Sequence, residues 1–277
     1  MKKRILLILF TVFYWMILPS YAQNLDAAAD SLEKYFNLLA REKDDKQKEQ
    51  LNEKIVVFFK NALEQEQSFE YVFSSLKYIG DLRSDDNNLR IITWNLPYAD
   101  GTHQYFGFIQ YQKNRRTILT YELSDQSEKI KNPEDQILSH QHWYGALYYQ
   151  IVVQKHKRDV YYTLLGYDLH DLYSKKKLVE ILHFDKKDNP VFGAPVFKNN
   201  RRHKMRLIFE YSAEATMALN YDPNQKMIVY DHLSPFRPSL KGQYQFYGPD
   251  FSYDGLKFEN GVWNTYQDID VRNLNIE

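Results

Sequence analysis

Apolar residues recur every three or four positions between residues 25 and 76, which predicts helices. A charged, polar break at residues 41–48 divides this part of the chain into two amphipathic stretches. The first apolar stripe consists of Leu25, Ala29, Leu32, Phe36 and Leu39. The second consists of Leu51, Ile55, Phe58, Phe59 and Leu63. Because the opposite faces are largely polar, we expect each helix to be buried mainly on one side.

A third, shorter helix is predicted after Ser68. A serine side chain accepts hydrogen bonds from the free N–H groups at a helix start, so Ser68 is a candidate N-cap. The apolar residues that would follow it are Phe69, Val72, Phe73 and Leu76. Residues 23–80 are therefore predicted to form a helical segment.

After Gly80 the period of the pattern changes to two, which is typical of strands. The alternation is clearest at residues 205–211 and 217–221, and the short link between them predicts that these strands form a hairpin. Asp222-Pro223-Asn224 then predicts a turn into a strand at residues 227–233, because proline fixes φ and asparagine tolerates the left-handed region.

The same alternation predicts about a dozen short strands in all. The others lie near residues 88–95, 104–112, 116–123, 145–154, 159–167, 177–184, 190–197, 243–248, 255–259 and 262–266. Residues 155–158 and 185–189 are predicted hairpin loops, and links this short require antiparallel neighbours. The fold class is therefore mainly β after an N-terminal helical segment. Residues 81–277 are predicted to form an antiparallel meander, which is a barrel, a strongly curved sheet or a propeller-like array.

Residues 1–22 have the layout of a secretory signal peptide. Lys2, Lys3 and Arg4 form a positive n-region, and an uncharged apolar stretch follows at residues 5–18. Ser20 and Ala22 place small residues where a signal peptidase cleaves. The stretch is shorter than the roughly 20 apolar residues of a membrane span. We therefore expect cleavage after Ala22, export to the periplasm or the cell exterior of a bacterium, and no transmembrane segment in the mature chain.

Charge and cysteine content narrow the possible functions. The full chain has a formal charge of zero, and loss of the three basic residues at its start leaves −3. No basic face is apparent, so we expect no nucleic-acid partner. The chain has no cysteine, which excludes disulfides, thiolate metal sites and a cysteine nucleophile. Its 23 tyrosines suit half-buried strands, and they would also suit a sugar-binding surface.

The standard catalytic and nucleotide-binding motifs are missing from the sequence. A polar loop of unusual length, residues 124–142, separates two predicted strands, and loops of this length are usually functional or disordered. A short surface helix is the other possibility there. His140 and His142 could share a cation with His103, Asp100 or His232, but two exposed imidazoles are the simpler interpretation. We therefore expect no metal ion and no cofactor.

Two further carboxylate patterns have simpler structural interpretations. Residues 250–255 resemble the first half of a calcium loop, yet the twelfth position is Gly261 instead of glutamate. We instead predict that Asp254 and Gly255 turn a hairpin, with Gly255 at positive φ. Asp268 and Asp270 could act as an acid–base pair, but two acids at this spacing are far more often a solvated strand face.

Aromatic and polar residues gather in two places and form the candidate binding surface. One group surrounds a turn at Asp100-Gly101, and the other follows the long loop. The candidate residues are Trp94, Tyr98, Asp100, His103, Tyr105, His140, His142, Trp143 and Tyr144. The simpler alternative for Trp94 and Trp143 is burial in the core.

Three segments of the C-terminal part carry a resemblance. They are Leu207-Ile208-Phe209-Glu210-Tyr211, Val229-Tyr230-Asp231-His232-Leu233, and residues 248–255. Over roughly the last 190 residues the chain resembles an uncharacterised family of exported bacterial β-rich proteins. The resemblance implies a recurrent β module and implies no activity.

Together these features predict a non-catalytic exported protein that binds a protein partner or a glycan in the cell envelope. The alternative is a hydrolase that uses histidine and carboxylate groups near residues 124–143. Convergence of His103, His140, His142 and His232 in one pocket would favour that alternative.

Overall fold

Two helices open the described part of the chain, and sheets form the rest, as this computed structural model shows for residues 25–199 and 202–270. The predicted fold class is confirmed: 47% of the chain is strand, the sheets are antiparallel, and one sheet curls strongly into a half barrel. The contacts divide the chain between Ile79 and Gly80 into a helical unit and a β unit. The predicted signal peptide, residues 1–22, lies outside the described residues.

The helical unit contains α1, described over residues 25–39, and α2, Asp45–Leu63. Asp44 caps α2, because its side chain accepts a hydrogen bond of 2.9 Å from the backbone N–H of Gln47. The predicted apolar stripes are largely buried; Leu25, Leu32, Phe36, Ile55 and Phe59 are each at most 3% exposed. No helix in the described ranges has the length and apolar composition that a membrane span needs.

The predicted third helix is wrong. Residues 64–70 form turns, and the Ser68 hydroxyl donates to the carbonyl of Leu63, 2.9 Å away. Ser68 therefore satisfies the end of α2 instead of starting a new helix. Phe69 and Phe73 are still buried, while Val72 is exposed. Turns bring residues four apart to the same side as readily as a helix does, so the apolar spacing was misleading.

The first sheet of the β unit is a four-stranded antiparallel meander. Its strands run in chain order: β1 (Gly80–Arg83), β2 (Leu89–Pro97), β3 (His103–Asn114) and β4 (Thr117–Ser124).

The central sheet has the order β5-β9-β8-β7-β6, and β12 also pairs with β8. Its strands are β5 (Leu138–Ser139), β6 (Leu147–His156), β7 (Asp159–Asp168), β8 (Ser174–Phe184), β9 (Pro190–Phe192) and β12 (Arg206–Ser212). The predicted hairpin loops at residues 155–158 and 185–189 join β6 to β7 and β8 to β9.

The third sheet has the order β11-β10-β16-β15-β14-β13. Its strands are β10 (Phe197–Asn199), β11 (Arg202–Lys204), β13 (Leu219–Asp222), β14 (Met227–Pro235), β15 (Tyr247–Glu259) and β16 (Val262–Tyr266). The Asp222-Pro223-Asn224 turn joins β13 to β14 as predicted. A single pair, Phe197 with Trp263, joins β10 to β16 in parallel, and an isolated parallel bridge joins Asp125 to Trp143, so antiparallel pairing has these exceptions among the described residues.

The predicted hairpin between residues 205–211 and 217–221 is wrong. β12 pairs with β8 in the central sheet, whereas β13 pairs with β14 in the third sheet. The reason lies in Arg206, which the alternation placed on a polar face. Its side chain is fully buried and bonds to Glu180 on β8. β12 therefore pairs with β8, the strand that carries the partner of this charge.

The predicted turn at Asp254-Gly255 is also wrong. Both residues lie inside β15, which contains the predicted strand 255–259 but only the last two residues of the predicted strand 243–248, and Gly255 does not have a positive φ. A Cβ at Gly255 would overlap the Met227 sulfur on the neighbouring strand, so glycine serves close packing there. The hairpin instead turns at Asn260 and Gly261, whose φ values are 55° and 86°.

Two hydrophobic cores lie on opposite faces of the central sheet. Leu164 and Leu178 belong to the core shared with the first sheet, while their neighbours Leu165 and Val179 belong to the core shared with the third. Residues 178–182 of β8 are buried on both faces. The strand therefore reads Leu-Val-Glu-Ile-Leu, an apolar run interrupted only by Glu180.

Glu180 and Arg206 form an ion pair that is fully buried. The Arg206 Nε lies 2.5 Å from one carboxylate oxygen of Glu180, and the Tyr148 hydroxyl donates to the other oxygen at 2.5 Å. Trp143 donates to the Tyr148 hydroxyl at 2.8 Å. Burial raises the pKa of Tyr148 well above its ordinary value, so this hydroxyl keeps the proton that it donates.

The long loop at residues 124–142 is held by the same arginine. Arg206 donates to the carbonyls of Pro133 and Gln136 in this loop, and also to the carbonyl of Phe192. Glu134 adds an ion pair of 2.6 Å with Lys204. The loop is therefore folded, with short 3₁₀ turns and the two-residue strand β5, and it contains neither a surface α-helix nor free polar backbone around Arg206.

We predict that Arg206→Met lowers the free energy of unfolding by about 3–5 kcal/mol, because it leaves the Glu180 charge buried without its partner. Chemical denaturation measures this. The double variant Glu180→Leu, Arg206→Met should lose less, since no charge then stays buried. Lys113→Met, which breaks a solvent-screened surface pair with Asp188, is the matched control and should cost far less than Arg206→Met. A single variant within 1 kcal/mol of wild type would contradict the prediction.

Candidate functional site

Both tryptophans among the predicted binding residues belong to the core. Trp94 is fully buried, with its ring stacked 5.8 Å from Phe106 and 6.1 Å from Phe108. Trp143 is also fully buried, against Tyr148 and Phe192. Neither ring is available to a ligand, so the simpler interpretation holds for both.

Tyr105 and Tyr144 are also buried, and both hydroxyls lie near Asp168. The Tyr105 hydroxyl donates to this carboxylate at 2.9 Å, and the Tyr144 hydroxyl lies 3.5 Å from it. Burial raises the pKa of each tyrosine far above its ordinary value, and the negative Asp168 adds to the effect. These tyrosines therefore remain neutral, and they connect β3 and the segment before β6 to the end of β7 instead of forming a binding surface.

Two of the predicted residues, Tyr98 and His103, do line a cleft. This polar cleft has a volume of about 310 Å³, and its opposite wall is the start of the long loop, residues 125–129. Asp100 does not line it; its carboxylate accepts from the backbone and hydroxyl of Thr102 and shapes the turn. The residues after the turn at Asp100-Gly101 thus lie opposite the start of the long loop, a neighbourhood that the sequence did not predict, and the cleft between them is lined by polar groups and a single tyrosine ring.

His103 is neutral in the polar cleft. Its Nδ1 lies 2.9 Å from the amide nitrogen of Asn95, which donates, so the neutral ring carries its proton on Nε2. Burial lowers the pKa of His103, although the charges of Asp168 and Asp100 oppose this. The ring can therefore offer one hydrogen-bond donor near neutral pH and holds no charge.

Asp125 lies in the same cleft but is fully occupied. Its carboxylate accepts from the backbone N–H groups of Tyr105, Ser127 and Gly145 at 2.9–3.2 Å. Burial raises the pKa of Asp125, and the three N–H donors work against that rise. The carboxylate ties β3, the long loop and β6 together, which is a structural role.

The histidines proposed to act together do not converge. His140 packs its ring 5.3 Å from Tyr121, His142 is exposed, and His232 bonds to Asp254. In residues 25–199 and 202–270, no group of three potential metal ligands is close enough to hold an ion. The calcium-like Asp250 accepts from the backbone and hydroxyl of Ser252, a local turn contact.

A larger cleft, which the sequence did not predict, lies where strand ends of the first and central sheets meet. It has a volume of about 530 Å³, within the range of small-ligand sites. We call it the aromatic cleft. Its lining includes Tyr111 from β3, Tyr161 and Tyr162 from β7, and His183 and Phe184 from β8. Lys155, Arg158, Asp159, Asp86, Asn88, Ile137 and residues 193–195 complete it.

Aromatic rings line the aromatic cleft in contact with one another. Tyr111 stacks on Phe184, with ring centroids 3.7 Å apart and planes 14° apart. His183 meets Tyr161 edge to face at 6.1 Å. Burial lowers the pKa of His183, so this ring is mainly uncharged at neutral pH. The rings thus form two half-buried pairs on opposite faces of the central sheet, since Phe184 packs against the core shared with the first sheet and Tyr161 against the core shared with the third. We call these two pairs together the aromatic wall.

Polar groups without internal partners surround these rings. Within the described residues, the side chains of Lys155 and Arg158 make no hydrogen bond or ion pair, and the hydroxyls of Tyr111 and Tyr161 have no hydrogen-bond partner. The sequence could not show that these rings lie together, because Tyr111, Tyr161 and Phe184 come from three different strands. Their proximity depends on how the strands pair. The aromatic cleft is therefore open for recognition in a way that the polar cleft is not.

Asp86, the acid nearest the floor of the aromatic cleft, is already bonded. It accepts from the Ser84 hydroxyl at 2.6 Å, from the backbone N–H of Asn88 at 3.2 Å and from the Tyr162 hydroxyl at 3.2 Å. Burial alone would raise the pKa of Asp86, but these donors hold it below its ordinary value. The group stays ionised and is a poor proton donor.

We predict a pH-dependent contribution of His232 to stability. Its Nδ1 lies 2.8 Å from Asp254, and this hydrogen bond, with the nearby charges of Asp250 and Asp268, raises the pKa of His232 although burial opposes it. The stabilisation is complete below the unfolded pKa near 6.5 and is lost as the pH rises through the folded value. The melting temperature of wild type should therefore exceed that of His232→Gln most at pH 5.5, with the gap shrinking toward pH 8. A gap that grows with pH would contradict this.

Comparison of the chain with protein-family models, curated proteins and solved structures finds no match. The resemblance to exported bacterial β-rich proteins therefore stays a prediction, and the clefts themselves carry the functional argument.

Proposed function

We propose that this chain is a non-catalytic exported protein that binds a glycan of the cell envelope in its aromatic cleft. The observation that carries the proposal is the combination of a fixed aromatic wall with unpartnered polar groups around it. One face of a sugar ring carries mostly C–H bonds and packs on aromatic rings, while its hydroxyl groups require donors and acceptors at the edge.

The chemistry around the wall matches the second requirement. Arg158 and Lys155 are donors only, Asp159 is an acceptor, and the Tyr161 hydroxyl is both. Opposite charges lie side by side here, so the cleft favours a polar, uncharged ligand over a strongly charged one. A glycan chain has this character, since it offers many hydroxyls in several directions.

The same geometry gives little support to the alternative of a hydrolase near residues 124–143. Asp125 is bonded to three backbone N–H groups, and His140 packs on Tyr121 instead of on a carboxylate. General acid–base catalysis needs a proton donor and a proton acceptor that both reach the substrate. In the aromatic cleft, Asp86 is ionised and engaged, so it is poorly suited to the role of general acid.

We predict that the purified chain binds at least one member of a panel of soluble oligosaccharides, including chitotriose, cellotriose, maltotriose and peptidoglycan fragments. Tyr161→Ala should weaken that binding about tenfold, because it removes an aromatic ring together with its hydroxyl. Isothermal titration measures both. Tyr173→Ala is the matched control, since Tyr173 is exposed and lies outside both clefts. Failure to bind any member of the panel, or unchanged binding by Tyr161→Ala, would refute the proposal.

Export is part of the proposal and rests on residues 1–22, which lie outside the described residues. The positive n-region, the apolar stretch and the small residues before Gln23 support it. Intact-mass analysis of the protein produced in a bacterial host should give a mature chain that begins at Gln23. Replacing Ala22 with a bulky residue should block cleavage there, and a stable product that begins at Met1 in wild type would contradict export.

A further inference from the structure

The connection between β14 and β15, residues 236–246, carries exposed aromatic side chains. We call this segment the aromatic loop. Phe236 is 61% exposed, Tyr244 is 48% exposed and Phe246 is 37% exposed. Rings of this size are normally buried, and a cluster of exposed rings on one segment marks an interaction surface.

The aromatic loop holds these rings on an ordered backbone. The N–H of Phe236 donates to the carbonyl of Phe246 at 3.0 Å, which closes the loop at its base. The Phe236 ring lies over Gly248, where a Cβ would come within 2.8 Å of it. The rings of Tyr244 and Tyr247 lie 5.2 Å apart. The exposed rings therefore belong to a folded structure.

Phe251 adds a further ring, three residues after Gly248 on β15. It is 95% exposed and has a φ of 70°, a conformation that is unfavourable for a residue with a side chain. Its neighbour Asp250 accepts hydrogen bonds from Ser252 and lies 4.0 Å from His232. Burial alone would raise the pKa of Asp250, but these contacts hold it below its ordinary value, so this carboxylate stays ionised. An unburied phenylalanine in a strained conformation costs stability that the folded chain does not recover by itself.

The charges of the aromatic loop have one sign. Its eleven residues include Arg237 and Lys241 and contain no aspartate or glutamate. Both basic side chains are exposed, and neither makes a hydrogen bond or ion pair with the described residues. The loop thus presents unneutralised positive charge among aromatic rings.

We propose that the aromatic loop, together with Phe251 five residues after it in the chain, docks on the surface of an anionic lipid bilayer. Aromatic rings settle at the boundary between headgroups and acyl chains, while lysine and arginine stay at the level of the phosphates. Peripheral binding gains from the buried apolar area and from attraction to anionic lipids. A protein partner would more typically meet a concave or continuous apolar face, whereas here Arg237 and Lys241 are interspersed with the rings along the segment.

The test is sedimentation of the full chain with vesicles of phosphatidylethanolamine and phosphatidylglycerol, compared with vesicles of phosphatidylcholine alone. We expect binding to the anionic vesicles only, and loss of most of it in 0.5 M NaCl. The variant Arg237→Gln, Lys241→Gln should lower the apparent affinity by about tenfold or more. Phe236→Ser, Phe246→Ser should lower it by a similar factor.

The control variant Lys186→Gln, Lys187→Gln removes the same charge from the β8–β9 link and should bind like wild type. Circular dichroism and melting curves show whether each variant is folded, and the exposed Phe251→Ser offers a third variant with little structural role. Equal loss in the control variant would overturn the proposal, because net charge would then explain binding. Absence of sedimentation by wild type would also overturn it, and a concentration-dependent dimer in light scattering would then assign the rings to a second copy of the chain.

Discussion

The β unit depends on one charge placed where charge is most costly. Glu180 lies in the middle of the strand that is buried on both faces, and an isolated carboxylate there would be strongly unfavourable. Arg206 resolves this, but only if β12 pairs with β8 in a single register. The remaining N–H groups of the arginine then require carbonyl partners, and residues 133–136 supply them. The buried charge of Glu180 thereby determines that β12 pairs with β8, and it determines the path of the loop at residues 124–142.

This network also explains why the predicted binding residues near residue 143 are buried. Trp143 donates to Tyr148, whose hydroxyl in turn donates to Glu180, so the indole ring is drawn into the core at the end of the long loop. Tyr144 follows it inward, toward Asp168. An aromatic pair after a polar loop resembles a binding surface in the sequence, yet here the pair anchors the loop.

The sequence pattern correctly predicted the features that depend only on residues close together in the chain. The amphipathic stripes of α1 and α2, the change of period near Gly80 and the turn at Asp222-Pro223-Asn224 depend on residues within a few positions of one another, and all are present. The third helix failed locally, at Ser68, whereas two other errors occurred where a distant partner decides. Arg206 looked like a polar-face residue because its partner Glu180 lies 26 positions earlier. Gly255 looked like a turn residue because Met227, which fills the space beside it, lies on another strand. The aromatic cleft has the same origin, since its rings come together only through strand register.

Both proposed binding surfaces lie at links and strand ends. The rigid sheets beneath them hold their side chains in place for binding. Residues of β8 cannot change shape for a ligand without disturbing both cores and the ion pair, so the central sheet acts as a fixed support. The aromatic wall at Tyr111 and Phe184 inherits that rigidity because both residues belong to long strands, and little conformational entropy is lost when a ligand packs on it. The aromatic loop at residues 236–246 lies beyond the ends of β14 and β15, where rings can stay exposed without weakening a core. The chain is rich in tyrosine and phenylalanine, and it uses these rings in two ways. In the aromatic cleft, strand pairing packs the rings against one another and leaves them half buried. In the aromatic loop, no strand pairing covers the rings, and they stay in water.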